Sequence, residues 1–579
     1  MLRSLFRGPA ADAPAHLPAA AHGGFAGVLG GPDPAAALGR LGAEPAWRGE
    51  GVALGGAPVA TDRAGGVVAC GDVVLDNAEE LRRALDLPRA GPLALLAELV
   101  RTHGPDAGLH ALGMYAAAVW DARERRLWLL RDGAGARTLY LAGDAAHGWS
   151  FAARLRTLRR APGVSGEPDP VAIRDYLTCA FVPGERTMWR GVRELRPGTA
   201  LSLPDGREHV YWEPTERIAD PDAPLDVHAA RLRAVLDEAV RVRLPPAGPV
   251  GVYLSGGVDS SLVTALAARM APGPVHTYAL HFGAPYPNEL RFSGRVAEHC
   301  GTVHHVLELP AATIRAHLAE SLAALDDPIG DPLTTPNLLL GRAAARDVDV
   351  ILNGEGGDPS FGGPKNVPML LHGLYGGADD LVTAYLRSFE KCYDDLPRLL
   401  TPELHRALAD GPPPGHWFAA RLDEGGMANY LDRLLDVNVR FKGADHILTK
   451  VGNLTAANGL LGRSPLADRR VVDASFAIPP EHKLAGSVEK AVLKAAVADL
   501  LPAEIVHRPK SGMLVPVQAW FAGELRAYAR DLLLDRRART RQYFNAEVVR
   551  HWLDTPRAPK RGVKIWLLLT LELWLRVND

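Results

Sequence analysis

A layered sandwich of sheets and helices followed by an open parallel α/β sheet is predicted for this chain, on three observations. The length of 579 residues calls for two to four domains at a soft prior of about 150 residues each. From about residue 20 to 205 short strands are mixed with two helices, whereas from Val227 longer helices alternate with apolar strands. Between the two patterns, Pro214–Pro224, with Asp220, Pro221 and Asp222, breaks regular structure. The expected organisation is a flexible leader over 1–21, a first domain over 22–210, a linker over 211–226 and a second domain over 227–579.

The leader carries Arg3 and Arg7, but Asp12, Pro14, His16 and Pro18 interrupt any apolar stretch behind them, so it does not read as a secretion signal. In the first domain Gly66–Leu75 and Leu127–Arg131 have strand character, while Ala78–Leu85 and Pro92–His103 have the apolar spacing of helices. The last apolar run, Ile565–Leu575, is too short to span a bilayer and contains Glu572, which predicts a buried C-terminal helix.

The composition excludes several classes of function. A net charge of −2 supplies no field to attract nucleic acid or anionic lipid. Four cysteines, Cys70, Cys179, Cys300 and Cys392, lie far apart and form no CxxC pair, which argues against a disulfide framework or a zinc site and fits a reducing cytoplasm.

The strongest local signal is an apolar strand, Val250–Leu254, running through Ser255-Gly256-Gly257 into a helix that opens with Val258-Asp259-Ser260-Ser261. Glycines let the backbone approach an anion, the first helical N–H groups point at it, and the serine hydroxyls add donors. An aspartate beside a phosphate would repel it unless a divalent cation intervenes, so Asp259 points to magnesium shared with a polyphosphate. No GxxxxGK[ST] motif occurs in the chain. A second apolar strand, Val348–Asn353, ends in Gly354-Glu355-Gly356-Gly357-Asp358. Ligands of open α/β sheets sit beyond the carboxyl ends of the strands, so Asp259 and Asp358 could share one magnesium and leave Glu355 as a base.

Two basic segments come later in the chain. Ser487–Lys494, containing Lys490, is expected to open a helix that runs to about Leu501, and His507-Arg508-Pro509-Lys510-Ser511 forms a basic turn. An ammonium held over the reacting centre stabilises charge that develops only in the transition state, and Lys510 is the candidate for that role.

The SGGVDSS string resembles the pyrophosphate loop of the ATP pyrophosphatases. Taken with Gly71–Arg82, Gly113–Asp121, Leu129–Asp132, Gly354–Gly363, Arg463–Asp468 and Arg508–Lys510, it makes nearly the whole chain after about residue 22 resemble the asparagine synthetase family. The resemblance implies a glutaminase-like αββα domain followed by an ATP-pyrophosphatase-type amide-forming domain, with ATP and Mg²⁺ as cofactors. It assigns Ser255, Gly256, Gly257, Val258, Asp259, Ser260, Ser261 and Gly354 to ATP and pyrophosphate, Asp259 and Asp358 to the metal, and Lys510 to the reaction intermediates. Asp436 is a further candidate catalytic carboxylate.

The departures from the family pattern are informative. Members that hydrolyse glutamine use an N-terminal cysteine as nucleophile with its own α-amine as base. The segment resembling the family's CGIAG start reads Gly24-Phe25-Ala26-Gly27, and no cysteine precedes Cys70, itself expected to be a packed core residue. An amine carried by the substrate would then attack the adenylate, as in the β-lactam synthetases and lasso-peptide macrolactam cyclases. The retained Glu355 and the Phe361–Asn366 segment look more like the lasso cyclases. That reading implies a peptide substrate, a leader-peptide-binding protein and a leader protease as partners, with no nucleic acid or membrane involved. The alternatives are a β-lactam or carbapenam-type synthetase of a small amino acid, an ammonia-dependent asparagine synthetase, and a non-catalytic scaffold.

Overall fold

The computed structural model describes residues 24–363, 366–374, 379–423, 426–486, 488–509 and 512–578. The leader over 1–21 therefore lies outside the described residues, as do Pro364, Lys365, Ser487, Lys510 and Ser511.

The first half is an αββα sandwich. Strands Val67–Leu75, Gly113–Asp121 and Arg126–Arg131 form the centre of one six-stranded antiparallel sheet, and Ala26–Leu29, Val52–Gly55 and Gly148–Ala152 lie together in a second. Alternation along each strand sends one set of side chains inward, so Phe25, Leu54 and Phe151 of one sheet meet Trp120, Leu129 and Leu201 of the other in a closed core. The outer face of the first sheet buries Leu95, Leu96 and Leu99 of helix Pro92–His103, which a proline at its first position and a glycine beyond its end delimit. Both strands and both helices expected in this half form within a residue or so of their expected limits.

Irregular backbone over 213–224 leads into helix Leu225–Arg241. Beyond it lies a five-stranded parallel sheet, built from β1 (Val250–Tyr253), β2 (Val275–His281), β3 (Val303–Glu308), β4 (Val350–Leu352) and β5 (Leu461–Arg463), in the order β3-β2-β1-β4-β5. The chain moves outward from β1 to β3 and then returns to the other side of β1. Strand order therefore reverses between β1 and β4, and the crevice beyond their carboxyl ends is where such sheets bind ligands. Helix Arg561–Val577 closes the molecule with Trp566, Leu569 and Trp574 fully buried. Its Glu572 is also buried, accepting hydrogen bonds from Thr540 N and Oγ1, both at 2.8 Å, and pairing with Arg576 at 2.5 Å. Among the described residues no helix is long and apolar enough to cross a membrane.

Candidate active site

The loop after β1 and the loop after β4 pack directly on one another. Gly256 has φ +83°, and a Cβ there would stand 2.6 Å from Ser293 N, so both the turn and the close neighbour require glycine. Across the crevice, a Cβ on Gly354 would lie 2.6 Å from Ser260 N, and one on Gly357 would lie 2.4 Å from Asp259 Oδ1. The second loop thus lies against the first turn of helix α1 (Val258–Met270) and brings Asp358 beside Asp259.

Hydroxyl contacts hold the first loop in shape. Ser260 Oγ accepts from Ser255 N at 3.2 Å and lies 3.1 Å from Ser255 Oγ, which in turn accepts from Gly257 N at 3.3 Å. Ser261 is fully buried, and its Oγ has no hydrogen-bond partner among the described residues.

The two carboxylates converge on a lysine. Lys490 Nζ lies 2.5 Å from Asp259 Oδ2 and also pairs with Asp358, while the Lys490 side chain is 1% exposed. Lys490 adopts a left-handed conformation, φ +55°, and the helix expected to open at Ser487 begins only at Ala491 and ends at Ala496. The helix is shorter than its periodicity suggested, and Lys490 stands just outside it as its N-terminal cap residue. Periodicity places Lys490 in a helix and assigns it no role; the signal available was a lysine one turn ahead of Lys494 in an otherwise apolar stretch.

Lys494 and Arg508 complete a cationic wall. With Gly257, Val258, Glu489, Lys490 and Ile505 they line one small cavity at the N-terminus of α1. Arg508 donates to Gly256 O at 3.0 Å, pairs with Glu289 and lies 3.8 Å above the Phe292 ring, which fixes the basic turn against the glycine loop. Burial, partly opposed by Glu489, lowers the Lys494 pKa from its ordinary value. Three cations and the N–H groups at a helix start form a donor set that fits a polyphosphate. Two carboxylates already converging on one positive centre form a donor set that fits a divalent cation.

The remaining candidates separate. Glu355 N donates to Asn353 Oδ1 at 3.0 Å, and its charge acts on Lys450, a buried lysine whose Nζ lies 2.5 Å from Asp331 Oδ2. Burial alone would depress Lys450, yet Asp331 and then Glu355 hold it above its ordinary value. Asp436 lies in a different group: it pairs with Arg440 at 2.7 Å and Arg421 at 3.9 Å, beside Glu213 of the irregular connection. Burial raises its pKa against the pull of both arginines. Cys70, between the two antiparallel sheets, is wholly buried, and desolvation pushes its thiol up to about 12.

A buried ion network joins the halves. Arg243 reaches Asp76 at 2.8 Å and Asp468 at 2.6 Å, Arg463 at the end of β5 also pairs with Asp76, and Arg470 pairs with Asp468 at 2.7 Å. The segment resembling RVPFLD is thereby tied to the strand-end loop of the first half.

The family model described as Asparagine synthase matches residues 231–576, and one described as Glutamine amidotransferase domain matches residues 75–212. "Asparagine synthetase [glutamine-hydrolyzing] 1" of Bacillus subtilis (strain 168) is 24% identical over 515 residues, covering 83% of this chain and 79% of its own. A "Putative asparagine synthetase [glutamine-hydrolyzing]" of Mycobacterium tuberculosis (strain ATCC 25618 / H37Rv) is 29% identical over 506 residues, covering 80% and 76%. The solved glutamine phosphoribosylpyrophosphate amidotransferase from B. subtilis covers 49% of this chain and 80% of its own at 13% identity, with a TM-score of 0.23, and carries no further argument.

Proposed function

Since the chain belongs to the asparagine synthase family of ATP-dependent amide-forming enzymes, we propose that it closes an amide between a carboxylate and an amine of one substrate, without hydrolysing glutamine. The observation that carries this reading is the first half of the chain. It keeps the αββα sandwich, but the segment resembling the family's start has no cysteine, and Cys70 is a packed thiol held far from ionisation. With no thiolate to release ammonia, the nitrogen comes with the substrate.

The substrate carboxylate attacks the α-phosphorus of ATP. The bond to the β-bridging oxygen breaks, and pyrophosphate leaves along the wall of Lys490, Lys494 and Arg508. The amine then adds to the acyl carbonyl, gives up a proton that Glu355, three residues before Asp358 in the same loop, is proposed to accept, and AMP departs. Asp259 and Asp358 would hold Mg²⁺, which neutralises phosphate charge when bound. Lys510, two residues after Arg508 in the sequence, is assigned the developing oxyanion. Holding both reacting ends in one crevice makes ring closure unimolecular, an advantage of about 7–11 kcal/mol when alignment is good. A peptide closing into a macrolactam is the substrate class favoured by Glu355 and Phe361–Asn366.

The test is incubation of the full chain with Mg-ATP and candidate substrates, scoring AMP against ADP. AMP and pyrophosphate are expected, with no dependence on added ammonia or glutamine. Cys70→Ala should leave turnover within about twofold of the parent, as expected for a core thiol without chemistry. AMP formation that requires aspartate and ammonia would instead establish an ammonia-dependent asparagine synthetase. Glutamine hydrolysis at enzymatic rates would overturn the reading.

A further inference from the structure

At the amino edge of the parallel sheet, opposite the phosphate loop, three metal-ligating side chains meet. His276 is the second residue of β2, His305 the third of β3, and Asp347 lies in the turn before β4. His276 Nδ1 is 3.1 Å from His305 Nε2, His305 Nε2 is 3.9 Å from Asp347 Oδ2, and one donor atom from each residue lies within 4.8 Å of the others. Gly251 of β1 is level with His276, and Ser255 comes four residues later, about 13 Å along the strand direction. The cluster is therefore separate from the crevice where ATP is placed.

The sequence builds this convergence. Asp347 must approach β2 and β3 over the intervening β1, and the β1 residue at that level is Gly251. A Cβ there would stand 2.4 Å from Ile351 Cδ1 and 2.9 Å from Val348 Cγ2, so glycine lets the turn before β4 settle close to the sheet. The rings of His276 and His305 are stacked, 9° from parallel with centroids 5.3 Å apart, and Tyr278 stacks on His305 at 4.8 Å. Tyr278 Oη donates to Asp347 Oδ2 at 3.0 Å, the kind of outer contact that fixes a ligating carboxylate.

We propose that His276, His305 and Asp347 bind one divalent transition-metal ion of the zinc class, with water in the fourth position. Tetrahedral zinc with bonds of about 2.0–2.2 Å separates its ligand atoms by about 3.3–3.5 Å, and the observed 3.1 and 3.9 Å bracket that value. Two imidazoles and one carboxylate suit zinc rather than magnesium or calcium. The ion would cross-link β2, β3 and the turn into β4, stapling the sheet edge remote from the reacting groups.

The test is calorimetric titration of the EDTA-treated full chain with Zn²⁺ alone, with Co²⁺ absorption as a second readout of tetrahedral ligation. One ion per chain is expected, and His305→Gln and Asp347→Asn should each weaken binding at least tenfold. Tyr278→Phe, which keeps the ring stack, should weaken it about tenfold through the lost outer contact. Asp347 is exposed, so Asp347→Asn is expected to fold, and its circular dichroism, which does not depend on the proposed ligase reading, should match the parent. Absence of binding tighter than about 10 µM in the parent, or unchanged stoichiometry and affinity in both His305→Gln and Asp347→Asn, overturns the proposal.

Discussion

Lys490→Met lowers the rate of AMP formation by about 10²–10³-fold, the scale seen when one preorganised donor is removed from a site of developing charge. The reason is local. Lys490 Nζ is the positive centre on which Asp259 and Asp358 converge, and the same side chain lines the cavity at the start of α1. Without it, the charges of Asp259 and Asp358 meet an incoming polyphosphate with one cation fewer to offset them, and like charges at close range repel. Lys490→Arg should not restore the rate, because a planar fork on a longer stem cannot sit at the point where a compact ammonium meets two carboxylates. Single-turnover formation of AMP, normalised to folded protein, checks this. A loss smaller than tenfold would show that Lys490 serves only to hold the two loops together.

Asp76→Ala destabilises the folded chain by about 3–5 kcal/mol, the usual consequence of removing one partner from a buried ion network. Asp76 is the carboxylate that both Arg243 and Arg463 share, and all three side chains are at most 6% exposed. Its loss leaves Arg463 buried without this counterion and Arg243 with Asp468 as its remaining partner. The midpoint of chemical denaturation reads this directly; a shift no larger than that of a surface substitution, about 0.5 kcal/mol, would mean water replaces the carboxylate. The network also sets a pH dependence. Asp468 is buried, yet Arg243 and Arg470 hold its carboxyl far below the ordinary range. A carboxylate depressed on folding contributes stability that is present above its unfolded pKa, near 4, and is lost as pH falls through the folded value. Stability should therefore decline on acidification below about pH 4, and Asp468→Asn should flatten that decline.

The layered architecture was legible because it rests on periodicity. Gly66–Leu75 and Pro92–His103 announce their elements through spacing alone, and the SGGVDSS loop through its glycines and helix-start serines. Convergence across the chain was not legible. Asp259 and Asp358 could be paired from strand-end logic, but Lys490 is more than 130 residues beyond Asp358 and sits where periodicity predicted a helical residue. A left-handed backbone at a lysine leaves no mark in composition. Asp436 illustrates the converse: a carboxylate on an amphipathic helix reads the same whether it faces a substrate or, as here, Arg440. The ties of Asp76 to Arg243 and Arg463 were equally silent, since nothing in a single sequence reports which distant charges neutralise one another.

Those ties mean that the two halves are not independent pieces. A chain cut near residue 210 would take Asp76 away from Arg463 and leave Arg243 with Asp468 alone, and would uncover the segment that ends at Asp468. The amino-terminal sandwich thus serves as a buttress for the second half, and its removal is expected to weaken that half's fold.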